Sequence, residues 1–394
     1  MIPAAPTERF DAVTPTSYTV YPTDVPQLRV YTRGVPFNER GGTLRGALDV
    51  VSGRFPRFVF GGSVPADVLP VFHFHDVTCE DLEPKLRHLA DNGYRTVTSD
   101  DVAAFVDRTA RLDQRSVALC FDDAWASLWD VAAPLLKQYG MRAIAYAIPA
   151  RIADADTTRP IAGTESRHGS PFVTWPELRE LESSGVVDVQ CHTDTHSRIF
   201  ISGEVCGFVT PSYGSTPFLN QPQLVPPPML RFVTPGDLGA PLYPVRSRMS
   251  DGTRAHVSID AHRRCTELVA RSGGAAFFSR ADWRTTLERL AVTDGSTPVE
   301  SEEEQNRAIE EELDRGRATL NDRLKTTRVN HICLPWGVSG RRTAAALKRL
   351  GYRSAFANRI RGVHAVRPGD DIYWLKRLPN KYIVRLPGRG RRWF

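Results

Sequence analysis

At 394 residues, with 41% hydrophobic and 24% charged side chains, the chain is long enough for a large buried core and has the composition of an ordinary globular protein. Its net charge of +6 arises from 51 basic and 45 acidic residues that are interleaved, so no nucleic acid is expected as a partner. No apolar run reaches the ~18 residues of a membrane span.

The six cysteines show no Cys-x-x-Cys spacing and are read as reduced thiols, with Cys120, Cys191 and Cys333 inside apolar runs as small core residues. The opening residues lack the basic and long apolar segments of a secretory signal, so a cytoplasmic location is expected. Residues 1–66 are rich in Pro, Thr, Gly and Arg and predict an irregular extension without a motif.

Regular structure begins at Val68–Phe74, a buried strand that ends at His75. Leu82, Leu86 and Leu89 follow at helical spacing and Gly93 stops that helix. The alternation continues through a strand at 94–98, a helix at 100–108 and a strand at 116–121. Next come a helix carrying Leu128, Val131, Leu135 and Leu136, and a strand at 143–148. Thr174, Pro176 and Glu177 form a strong helix start, and that helix closes at Gly185 and feeds a strand leading to His192.

From 198 to 300 the rhythm breaks into Pro-, Gly-, Ser- and Thr-rich sequence, with helical pieces at 260–272 and about 281–290. Ser301 and Glu304 open a long helix whose Ile309, Leu313, Leu320 and Leu324 face inward. Its charge run, with Glu303–Arg307 and Glu311–Arg315 pairs, reads as a solvated face. A strand at 329–334, the turn Pro335-Trp336-Gly337, a helix to Leu350, a strand at 354–357 and a last strand at 372–378 complete the alternation. The basic tail from Arg385 is read as a solvated, partly disordered end. Repeated strand–helix units imply a parallel α/β sheet, either doubly wound or closed into a barrel.

Chemistry concentrates at strand ends. Val117–Phe121 is fully apolar and runs into Asp122 and Asp123, and two buried carboxylates need a positive partner. A second buried run ends in His192 and His196, spaced so that both imidazoles share one side of a turn. Either pair alone is most often a cap or a surface feature. Together, at equivalent ends of a parallel sheet, they make an Asp-His-His set that leaves one metal position open for water.

With these residues in hand, the chain resembles the polysaccharide deacetylase, or NodB-like, family. Phe121-Asp122-Asp123 matches its Phe-Asp-Asp motif, and His192-Thr-Asp-Thr-His196 its His-Thr-x-x-His motif. Leu334-Pro335-Trp336-Gly337 is similar to the family's Pro-Tyr-Gly turn, and Phe74-His75-Asp76-Val77 to its Tyr-His-x-Val segment. The resemblance covers 67–197 and 301–385. It implies a distorted, incomplete (β/α) barrel of about seven strands, interrupted after the metal-binding turn by the 198–300 insertion, which is expected to cover the active face.

It also implies Asp122 as base, and Asp123, His192 and His196 as ligands of one divalent ion, Zn2+ foremost, with Co2+, Ni2+ or Mn2+ as substitutes. The backbone N–H near Trp336 would stabilise an oxyanion. His75 and Pro335 are expected to line the pocket, His364 stands where many members keep a catalytic acid, and Arg246 and Arg248 are pocket candidates from the insertion. The implied reaction is removal of an acetyl group from an N-acetylated sugar. Hydrolysis of a non-sugar amide or imide, and an impaired barrel serving as a binding scaffold, are the rival readings. Three departures stand out, the first being that no Leu-x-His segment follows the last helix, so that His364 lies in roughly that region within a loop context, Gly362-Val-His-Ala. The usual Gly after Asp-Asp is Ala124, and the arginine before the Pro-Tyr-Gly turn is replaced by Cys333. Alternation along the last strand puts Tyr373, Leu375 and Arg377 on one face, and Arg377 is expected to replace that arginine and contact Asp122 or substrate.

Overall fold

The computed structural model describes residues 55–161, 170–215, 217–293, 295–357 and 364–392, so most of the 1–66 extension lies outside the described residues. In chain order the elements are β1 (Val71–Phe74), α1 (Cys79–Asp91), β2 (Arg95–Thr96), α2 (Ser99–Val106) and β3 (Ser116–Asp123). A π-helical turn at Leu128–Ala132 runs into α3 (Ala133–Gln138), followed by β4 (Ala143–Ala147), α4 (Trp175–Ser183) and β5 (Val187–Cys191). The insertion holds β6 (Arg198–Phe200), β7 (Gly207–Phe208), β8 (Pro222–Val225), β9 (Arg231–Phe232), β10 (Pro241–Leu242), β11 (Val245–Ser247), α5 (Ile259–Arg271) and α6 (Trp283–Ala291). The chain then returns through α7 (Glu302–Leu324), β12 (His331–Cys333), α8 (Arg341–Arg349), β13 (Ser354–Phe356) and β14 (Leu378–Pro379).

Seven parallel strands, in the order β13-β12-β5-β4-β3-β1-β14, form a curled, open half-barrel, with β2 paired beside β3. Buried runs without polar alternation become strands covered on both faces, and the two-residue period still sorts their side chains. On β3, Val117, Leu119 and Phe121 pack outward under the helices, while Ala118 and Cys120 face the barrel interior. Ile144, Tyr146, Cys333 and Phe356 share that interior. Each fully buried apolar side chain of this kind contributes about 1.5–3 kcal/mol. Asp122 continues the inner row of β3, so this alternation places a carboxylate at the mouth of the barrel.

Helix starts follow their caps. Thr174 and Glu177 form a capping box, as do Ser301 and Glu304. Ile309, Leu313 and Leu320 are buried on α7, with Leu324 partly so. Among the described residues no helix is long and apolar enough to cross a membrane.

Several expectations are corrected. The predicted strand at 372–378 is split, because Ile372 and Leu375 bond to β13 whereas Leu378 pairs with Phe72 of β1. This segment therefore spans the gap between the two edge strands. The basic tail is docked as far as Arg392: Arg391 donates to the carbonyls of Phe58, Gly61 and Gly62, and Asn92 Nδ2 donates to Arg389 O. Arg315 pairs with Asp194, not Glu311. Glu312, inside the charge run, is buried.

The insertion leaves the barrel at Arg198 and folds into a four-stranded sheet, β11-β6-β8-β9, with its own apolar cores. The backbone N–H of Arg248 donates to the Ser197 carbonyl at 3.0 Å. Arg248 is not a pocket residue: its guanidinium is buried against Glu300 at 2.6 Å. Arg246 is exposed on β11. Asp251 accepts the backbone N–H groups of Arg342 and Thr343, which caps α8 and ties the insertion to the barrel.

Candidate active site

The ends of β3 and β5 and the turn after β12 meet at one mouth of the half-barrel. Asp123 Oδ1 lies 3.4 Å from His192 Nε2 and 3.7 Å from His196 Nε2. Asp123, His192 and His196 each offer one ligand atom within 4.8 Å of the others, and all three residues are buried. Around an ion with ligand bonds of about 2.0–2.2 Å, a tetrahedral set has edges of about 3.4 Å.

The donor chemistry fits a cation as well. His192 Nδ1 is 2.6 Å from the Cys333 carbonyl, so that nitrogen carries a proton and Nε2 is the ring atom turned toward Asp123. Burial pushes the His196 imidazole down to about 3, which keeps it neutral. Asp123 Oδ1 is buried and has no hydrogen-bond partner among the described residues. Two imidazole Nε2 atoms gathered at a buried carboxylate oxygen without a hydrogen-bond partner form a donor set that suits a positive ion between them.

Asp122 has a different partner. Arg377 Nη1 and Nη2 donate to its two carboxylate oxygens at 2.6 and 2.7 Å, a bidentate pair with both residues buried. Burial alone would raise the Asp122 carboxyl, but the charge and hydrogen bonds of Arg377 outweigh it and hold the group well below the usual carboxylate range. His75 Nε2 lies 3.8 Å from Asp122 Oδ2, with more than half of its side chain exposed. Cys333 Sγ is 4.0 Å from the same oxygen and supplies no charge in the place of the missing arginine.

Backbone geometry concentrates here. Asp123, Ala124, Thr193, His196 and Trp336 all have positive φ without being glycine. At Ala124, φ is 55°, which explains why a glycine suits that turn and what an alanine there must tolerate. Trp336 sits in the Pro335–Gly337 turn with its ring 4.2 Å from that of His196, and its Nε1–H donates to Asn220 Oδ1 at 3.2 Å. The insertion thus reaches the ligand cluster through Trp336. His364 is half-buried two residues before Val366, which bridges to Leu69 ahead of β1, and it lies outside the ligand cluster.

Sequence reading missed two supports. Trp125 Nε1–H donates to Asp123 Oδ2 at 3.0 Å, fixing the carboxylate that faces the histidines. Glu312 accepts from Thr195 N at 2.7 Å and from Thr195 Oγ1, clamping the loop between the two histidines to α7. A signal for Glu312 existed, since it shares a helical face with Ile309, Leu313, Gly316 and Leu320. Gly316 is part of the same approach, because a Cβ there would stand 2.8 Å from Asp194 N.

Residues 109–214 match the sequence profile of the polysaccharide deacetylase family. The chain is 24% identical over 136 residues to YxkH of Bacillus subtilis (strain 168), a candidate polysaccharide deacetylase, spanning 32% of this chain and 43% of that protein. It is 24% identical over 140 residues to the poly-beta-1,6-N-acetyl-D-glucosamine N-deacetylase of Escherichia coli (strain K12), spanning 36% of this chain and 21% of that one. These matches cover less than half the length of either relative. Among solved structures, the BpsB deacetylase domain from Bordetella bronchiseptica superposes with a TM-score of 0.50 at 15% identity, over 80% of this chain and 97% of that one. That likeness concerns the fold.

Proposed function

We propose, from the premise that this chain is a member of the NodB-like polysaccharide deacetylase family, that it is a metal-dependent hydrolase removing an acetyl group from an N-acetylated saccharide. The observation that carries the reading is the pairing of a buried, ionised Asp122 with Arg377 beside an orphaned Asp-His-His set. Asp123, His192 and His196 would hold the ion, and their mixed O and N donors suit Zn2+ and other first-row divalent ions. When bound, such an ion supplies Lewis acidity to water and to an acyl oxygen.

The chain's own residues do the rest. Asp122 accepts the proton of the attacking water, and Arg377 keeps that carboxylate ionised and oriented. The Trp336 backbone N–H, turned by its positive φ, is offered to the developing oxyanion. His75, the exposed imidazole 3.8 Å from Asp122, would hand a proton to the departing nitrogen. The test is Asp122→Asn. It should retain the metal and lose acetate release from N-acetylated oligosaccharides by at least about a hundredfold, the low end for a general base. Undiminished acetate release would move the base elsewhere.

A further inference from the structure

Apart from Asp123, three acids of the ligand face have partners. Asp122 is held by Arg377, Asp194 by Arg315 and Glu312 by Thr195. Two arginines of the same face are not so paired. Arg198, two residues beyond His196, lays its guanidinium over the Trp336 ring at 4.7 Å, and no carboxylate or other acceptor bonds it among the described residues. Arg151 follows β4 and is held between the rings of Phe232 at 3.7 Å and Phe218 at 4.6 Å. Its Nε and Nη2 are buried without an acceptor among the described residues. Withdrawing cations from water without an anion is costly, and Trp336 recovers only about 0.5–2 kcal/mol for Arg198.

Further donors surround Arg198. The Tyr213 hydroxyl is buried with no hydrogen-bond partner among the described residues, and its charge couples to that of Arg198. Asn220 spends its carbonyl oxygen on Trp336, which leaves its amide nitrogen as a donor. All three residues come from the insertion. Arg198 and Asn220 both touch the Trp336 side chain, whose ring lies 4.2 Å from that of the ligand His196.

We propose that Arg198, with Tyr213 and Asn220, forms an anion-recognising subsite beside the acyl-transfer centre, so that the favoured saccharide carries a carboxylate or phosphate near its acylated nitrogen. A guanidinium fork matches either group. The proposal rests on the deacetylase reading and narrows its substrate. Arg151 adds a second positive charge behind the insertion's aromatic residues, and burial pushes it down only to about 10, so it stays cationic at neutral pH.

The test is calorimetric binding to the 394-residue, metal-loaded Asp122→Asn protein, which binds without turnover. The probes are neutral tri-N-acetylchitotriose, the same trisaccharide bearing one C6 carboxylate, the same bearing one 6-phosphate, and inorganic phosphate alone. Charged trisaccharides should bind at least about tenfold tighter than the neutral one, the scale of a charge-assisted hydrogen bond. Adding Arg198→Gln should bring that ratio close to one. Tyr213→Phe, which keeps the ring, should lower it by a smaller factor and serves if the arginine variant does not fold. Equal binding of neutral and charged probes overturns the subsite and leaves the deacetylase reading standing. If no trisaccharide binds, the saccharide reading fails, and inorganic phosphate decides the subsite: equal affinity with and without Arg198 overturns it.

Discussion

Arg377→Met removes both contacts to Asp122, at 2.6 and 2.7 Å, and leaves the carboxylate in place. Arg377 is 6% exposed and Asp122 3%, so water cannot take over the lost hydrogen bonds. Removing one partner of a buried pair costs about 3–5 kcal/mol. His75, 3.8 Å away and more than half exposed, is too solvated to substitute. The dependence on pH has a definite sign. With Arg377 present, Asp122 is held below its unfolded value of about 3.9, so the pair's stabilisation is full above that pH and is lost as pH falls through the folded value. Without Arg377, burial dominates and the folded value rises, so stability is lost as pH increases above about 4. Urea unfolding of metal-free protein, followed by circular dichroism, should show the deficit growing from pH 4.5 to 8. Asp122→Asn combined with Arg377→Met should recover most of it. A deficit under about 1 kcal/mol at pH 8, or one equal at both pH values, would refute the argument.

Asp123→Ala and His192→Ala should each abolish stoichiometric metal binding, read by elemental analysis of the purified protein, and a full complement of metal in either variant removes that residue from the ligand set. Glu312→Ala deletes the acceptor for Thr195 N and Oγ1, so chelator competition should show metal affinity reduced by about 10- to 100-fold, the range for residues that orient ligands. Unchanged affinity would reduce Glu312 to a packing role.

Local signals carried much of the fold. Capping boxes at Thr174 and Ser301 mark helix starts because they satisfy backbone N–H groups within three residues. The insertion was opaque for the converse reason. Strands as short as Gly207–Phe208 and Arg231–Phe232 show no period, and their pairing comes from distant partners. Arg248 reads as any basic residue until Glu300 is brought against it. Glu312 was hidden in a run of glutamates, where composition argues for solvent and only the register of α7 argues for burial.

The sequence by itself determined that two carboxylates and two histidines stand at the ends of buried runs, because hydrophobic burial forces those runs into the sheet and leaves the polar residues at its mouth. Alternation also chose the side of Arg377. Only the tertiary structure decided what these groups meet. Strand order places β5 beside β4 and β4 beside β3, which brings His192 to Asp123. The crossing from β13 to β1 carries Arg377 to Asp122 across 255 residues of sequence, and α7 closes on the histidine loop from behind. Such contacts depend on chain closure over long separations and on buried charge finding its partner, and no window of neighbouring residues contains either.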